Sequence, residues 1–164
     1  MLADHLVFLH TGYDPTAFVI GAGDARQDPN VVTGTFLLNG FYASVLFDSG
    51  ADFTFISLNF KRRLGLKTRK LGRRFEIELA DGKNIIIDEV ARGCKLTLCE
   101  RDFEIDLLPV VLGSFDIVVG MDWLSAIRAV IVCGEKIIRI PLENGETLSV
   151  QGERHGMPLR VLLA

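Results

Sequence analysis

Apolar positions fall into short runs separated by Gly, Asn, Asp and Pro, and the runs read mainly as strands. Val31 to Leu38 alternates loosely and is rich in β-branched and aromatic residues. Asn39-Gly40 follows, then a second run from Phe41 to Phe47. Asn-Gly between two such runs predicts a hairpin, because both residues tolerate positive φ. Phe53 to Ser57 reads as a short strand, and Ser57 to Leu64 as a helical segment with Ser57 as N-cap and Gly65 past its end. Arg74 to Leu79 and Asn84 to Val90 read as strands joined by Ala80-Asp81-Gly82-Lys83. A second pair, Gly93 to Cys99 and Phe103 to Leu108, turns through Glu100-Arg101-Asp102. Phe115 to Val119 is an apolar strand apart from Asp116, and Asp122 to Ile127 a helix with Asp122 as N-cap and Trp123 in the core. Ala129 to Cys133, Lys136 to Ile140 and Glu146 to Val150 complete the pattern. Short strands with regular turn signals indicate an all-β, barrel-like domain over 31–151. Residues 1–30 lack a sustained period and are expected to be a poorly ordered leader or linker, with 152–164 as a C-terminal tail.

Composition narrows the class. The chain has 164 residues, 49% of them hydrophobic and 24% charged, with a net charge of −3. That suits one globular domain and gives no general attraction to nucleic acid or anionic membrane. Basic residues cluster at Lys61-Arg62-Arg63 and from Lys67 to Arg74, and without interleaved aromatics this reads as a solvated face. Asp106, Pro109, Gly113 and Asp116 interrupt the apolar stretch from Ile105 to Met121, so core strands are expected there, not a membrane span. Met1 to Leu9 has neither a basic flank nor a small-residue cleavage site, so no signal peptide is expected. Three cysteines without a Cys-x-x-Cys favour reduced thiols and a cytoplasmic setting, although Cys94 and Cys99 could meet across a hairpin. The histidines have no metal-ligand spacing, and no metal or other cofactor is expected.

One stretch carries chemistry. In Val45-Leu46-Phe47-Asp48-Ser49-Gly50-Ala51-Asp52 an apolar strand ends in a carboxylate and a tight turn. A carboxylate delivered by a buried strand costs stability unless it has hydrogen bonds or a task. Gly50 lets the backbone turn sharply beside it. Asp48 is the candidate functional residue.

Leu46-Phe47-Asp48-Ser49-Gly50-Ala51 resembles the active-site loop of retropepsins, the aspartic proteases of retroviruses and LTR retrotransposons. Phe115-Asp116-Ile117-Val118-Val119-Gly120-Met121-Asp122-Trp123-Leu124 resembles the later block that packs behind that loop, and its Gly-Met-Asp-Trp-Leu ending is similar to plant gypsy-type polyproteins. Two motifs about seventy residues apart are more specific than either alone. The resemblance covers roughly Thr33 to Val150 and implies a closed all-β barrel with one or two short helices, forming one half of a two-fold dimer. It implies Asp48 as the catalytic carboxylate, with Ser49, Gly50 and Ala51 completing the loop. Asp52 would bind substrate backbone, although a plain turn carboxylate explains it equally well. Ala80, Asp81 and Gly82 would form the tip of a substrate-covering flap. Ile117, Val118, Val119 and Gly120 would form the structural second block. Met121 stands where several retroviral enzymes carry Arg, so their ion pair to the first loop is not expected here.

Aspartic proteolysis needs two carboxylates about a water, and the sequence has one Asp-Ser/Thr-Gly. The second must come from another copy, so the expected partners are a homodimer mate and a polypeptide substrate, with neither nucleic acid nor membrane. An interaction module that has kept the fold without proteolysis is the alternative.

Overall fold

In the computed structural model, described for residues 31–78 and 84–153, ten strands and two short helices follow one another. They are β1 (Val31–Leu38), β2 (Phe41–Asp48), β3 (Phe55–Ser57), α1 (Leu58–Leu64), β4 (Arg69–Glu78), β5 (Asn84–Leu98), β6 (Arg101–Val110), β7 (Ile117–Val119), α2 (Met121–Ala126), β8 (Val130–Val132), β9 (Ile137–Pro141) and β10 (Thr147–Gln151).

Seven strands form one sheet in the order β1-β2-β7-β3-β6-β5-β4. β1 also pairs with β5, through Leu37↔Thr97 and Leu38↔Leu96, so the hydrogen-bonded pairings from β1 round to β5 return to their start. β8, β9 and β10 form a separate three-stranded sheet. Lys136 Nζ ties it to β1 by donating to the Val31 carbonyl at 2.8 Å, and Glu153 N donates to Thr33 O at 2.8 Å.

The β1–β2 hairpin turns at Asn39 and Gly40, whose φ of 49° and 84° give the two-residue geometry that matches strand twist. The Asn39 side chain fixes this turn to β5, accepting from Lys95 N at 2.8 Å. β2 then runs between two apolar clusters. Because side chains alternate along a strand, Val45 and Phe47 enter the larger cluster while Leu46 enters the smaller. Its parallel neighbour β7 matches this residue for residue: Ile117 and Val119 face the larger cluster, Val118 the smaller. Two adjacent strands buried on both faces leave little freedom for the end of β2, where Asp48 sits.

Ser57 caps α1 as expected, its Oγ accepting from Phe60 N at 3.0 Å. Gly65 closes the helix at φ 61°, with Gly65 N donating to Arg62 O and Leu66 N to Lys61 O, the double bond of a left-handed helix end.

The structure revises several boundaries. The two strands expected over 84–90 and 93–99 are one 15-residue strand, β5. Gly93, at φ 69°, absorbs an irregularity between Ala91 and Cys94 as a bulge rather than a turn, and its N–H donates to Asp106 Oδ1 at 2.9 Å. Cys94 and Cys99 therefore lie along one strand and its end, buried and exposed respectively, and do not meet across a hairpin. The turn into β6 is Cys99-Glu100, both at positive φ, instead of 100–102. β4 begins at Arg69, five residues before the alternation suggested, because its first pairs, with Glu89 and Val90, precede a register shift. β3 begins at Phe55 and β7 at Ile117, each two residues later than expected.

The N-cap gives a direct energetic test. Ser57→Ala removes the acceptor for Phe60 N–H and should lower stability by about 1 kcal/mol in urea unfolding, while Ser57→Thr keeps most of it.

Candidate active site

Asp48 is the last residue of β2, paired with Val31 across the hairpin and 2% exposed. Its Oδ1 accepts from Gly50 N at 2.8 Å and its carbonyl from Ala51 N at 3.1 Å, so the carboxylate is oriented by its own turn. Ser49 at the tip is exposed, Gly50 partly so, and Ala51 is fully buried. Asp52 is half-buried.

The second block braces this loop. Met121 N donates to Ala51 O at 2.7 Å, and Asp122 N to Asp52 O at 3.0 Å. Gly120 passes so close that a Cβ there would lie 2.7 Å from the Ala51 carbonyl oxygen and nearer still to that of Phe53. A side chain is thus excluded by backbone, which has nowhere to retreat. Ile117, Val118 and Val119 supply the buried strand that carries Gly120 into place. The Met121 side chain takes no part in the brace; its backbone N–H does.

Three contributors lay outside the site residues assigned from the sequence. Thr54, 1% exposed, donates from Oγ1 to Asp122 Oδ1 at 2.6 Å and accepts from Gly120 N at 3.1 Å. One hydroxyl thereby links the exit of the loop to both ends of the Gly-Met-Asp turn. Ser44 and Asp116 form a reciprocal clamp: Ser44 N donates to Asp116 Oδ2 at 2.9 Å, and Asp116 N to Ser44 Oγ and Ser44 O, each at 3.0 Å. Asp116 O also accepts from Ser57 N at 2.8 Å, which seats β7 between β2 and β3. A polar residue interrupting an apolar run was the available signal in both cases.

Asp122 is not the N-cap expected. α2 starts at Met121 with Gly120 as cap and no side-chain capping bond. The Asp122 carboxylate is occupied elsewhere, accepting from Thr54 Oγ1 and from Trp123 N at 2.7 Å. Desolvation pushes its pKa up, against the lowering effect of the Thr54 and Trp123 hydrogen bonds, and Asp106 adds to the rise. Trp123 is core, as expected: it packs edge-on against Phe103, and its Nε1 donates to Glu104 O at 2.9 Å.

Ala80, Asp81 and Gly82, the expected flap tip, lie outside the described residues. The strands leading to them, β4 and β5, are paired from Phe75↔Ile87 to Glu78↔Asn84. Phe75, Ile77 and Ile87 pack in the same cluster as Leu46 and Ala51, so the base of this hairpin adjoins the Asp48 loop.

Thr54→Val leaves the buried Gly120 N–H without its acceptor and removes one of two donors to Asp122 Oδ1, and should cost about 1–3 kcal/mol in denaturant unfolding, with Thr54→Ser close to wild type. Asp122 adds a pH signature. A raised folded-state pKa means the folded chain holds this proton more tightly than the unfolded chain. Its contribution is complete below the ordinary value of 3.8 and is lost as pH rises through the higher folded value. Asp122→Asn keeps the acceptor oxygen, so its stability should decline less than that of wild type over that interval.

Residues 15–146 match the model of the retroviral aspartyl protease family. No curated protein matches the chain. Among solved structures, it is similar to the retroviral protease-like domain of Ddi1 from Leishmania major, at 15% identity and a TM-score of 0.57, over 79% of this chain and 98% of that one. It is also similar to the EIAV protease complexed with the inhibitor HBY-793, at 22% identity and a TM-score of 0.47, over 61% of this chain and 90% of that one. The likeness to the Leishmania domain supports the all-β, retropepsin-like fold built above. With the family match covering most of the sequence, from before β1 to the turn between β9 and β10, the chain belongs to the retroviral aspartyl protease family.

Proposed function

We propose that the chain is one half of an aspartic endopeptidase that uses Asp48 from each of two subunits, with a retrotransposon polyprotein as its substrate. The observation that carries this reading is the Asp48 turn: a carboxylate buried at a strand end, oriented by Gly50 N–H, in a loop braced by backbone bonds from the second block. The polyprotein substrate and the gypsy-type origin rest on the Gly120-Met121-Asp122-Trp123-Leu124 ending.

The chemistry follows from pairing two such loops. Carboxylates held ~3 Å apart cannot both ionise and share one proton, the behaviour for which aspartic proteases are the standard example. The ionised Asp48 takes a proton from water, whose oxygen attacks the scissile carbonyl carbon. The protonated Asp48 of the other subunit donates to the carbonyl oxygen, giving a geminal diol. Collapse of the diol breaks the C–N bond: the departing nitrogen takes the proton that the first Asp48 drew from water, and the other, now ionised, Asp48 takes one from a diol hydroxyl. Ser49 at the exposed tip would hold the two loops together, and Gly50 would let the backbone approach water and substrate. Asp52 would accept from substrate backbone, and Ala80, Asp81 and Gly82 would close over it.

Asp48→Asn keeps the shape and removes the ionisable group, so cleavage of a Gag-derived precursor should vanish while unfolding stays close to wild type. Excess Asp48→Asn chains mixed with wild type should poison activity, and specific activity should fall on dilution through the dimer dissociation constant. Light scattering beside the cleavage assay decides the matter: full activity in a species that stays monomeric overturns the two-chain mechanism. A dimer that never cleaves supports a silent interaction module instead. The pH profile should peak below neutrality, where the pair holds one proton; a rate still rising at alkaline pH would count against a shared proton.

A further inference from the structure

The charge on this chain is segregated. Residues 61–74 hold eight of its 18 basic residues and none of its 21 acidic ones, leaving ten basic against 21 acidic elsewhere. In the fold these cations form a file along the chain only, from α1 through the short link after Gly65 to the first half of β4, with neighbours in sequence projecting to different faces. All but Lys61 are exposed. Among the described residues β4 ends the seven-stranded sheet, paired with β5, and no strand pairs its other edge. Among the described residues Lys70 alone in this group has an ion pair, with Asp88 at 3.1 Å.

Composition alone reads such a cluster as a solvated face; its placement asks for more. A helix C-terminus is satisfied by a cation in its last turn, and an open strand edge is protected by one or two charges. Eight within fourteen residues exceed both needs and carry a repulsion that a polyanion relieves. Five of the eight are arginines (Arg62, Arg63, Arg69, Arg73 and Arg74), whose planar forks suit phosphate oxygens. The apolar residues among them turn inward: Leu64 and Leu66 pack against the larger cluster and Leu71 against the smaller. The surface therefore offers charge without the apolar anchors that a membrane or a protein partner uses.

We propose that the α1–β4 stretch binds nucleic acid through its phosphodiester backbone. The file spans a helix, its link and a strand, a continuous basic stretch, and the acidic remainder of the chain directs a polyanion to it. The described surface of the file presents no aromatic platform, so contacts to bases are not expected. This inference is independent of the catalytic reading, because no residue of the Asp48 site takes part.

Fluorescence anisotropy of the full chain with labelled 20-nucleotide RNA and DNA of one sequence tests it. Both should bind at low salt with similar affinity, and log K should fall linearly with log salt. The triple change Arg69→Gln, Arg73→Gln, Arg74→Gln should weaken binding about tenfold or more and flatten that slope by about 2, from three lost phosphate contacts. Arg139→Gln, outside the file, should leave both unchanged. Unaltered thermal unfolding of the triple variant excludes misfolding as the cause, and Lys67→Gln provides a milder second variant expected to weaken binding in the same sense. Three results would overturn the proposal: no binding at low salt, binding indifferent to the triple change, or capture by anionic lipid vesicles or poly-glutamate in preference to either nucleic acid.

Discussion

The close passage of Gly120 against the Ala51 and Phe53 carbonyls is the constraint from which the rest of the site follows. Because no side chain stands between them, the backbone N–H groups of Met121 and Asp122 reach the loop carbonyls directly. A larger residue at 120 would move the second block outward and break both bonds, and Thr54 would lose its hold on Gly120 N. The loop's position is therefore set by backbone contact, with Thr54 Oγ1 as the side-chain relay between its two supports.

β2 and β7 extend that constraint into the core. Their alternation places Leu46 and Val118 on one side and Val45, Phe47, Ile117 and Val119 on the other, so two clusters grip the pair from opposite faces. A slip of one residue would exchange the faces of both strands. The end of β2 is thereby fixed along its length and across its width, and the turn beyond it inherits that rigidity.

Much of this was legible in the sequence because it depends on local chemistry. Asn39-Gly40 announced its hairpin, Ser57 and Gly65 bounded their helix, and the apolar strand ending at Asp48 marked the loop. What could not be read depends on partners distant in sequence. Thr54 looks like any strand residue until Gly120 and Asp122 are beside it. Asp122 has the sequence signature of a cap, and only the fold shows its carboxylate drawn to Thr54 instead. Residues 84–90 and 93–99 looked like two strands, whereas pairing with β6 joined them through a bulge at Gly93. The basic stretch was visible as composition, but its place on α1 and the end strand of the described sheet required the topology.

The spacing between the loop and its brace has a consequence for timing during synthesis. Ser44 meets Asp116 across 72 residues, and Thr54 meets Asp122 across 68. Closing so long a loop costs chain entropy and slows the arrival of these contacts. A ribosome must therefore release the chain through α2 before the carboxylate loop can take its final shape. Until then the growing chain carries the sequence of the site without its geometry.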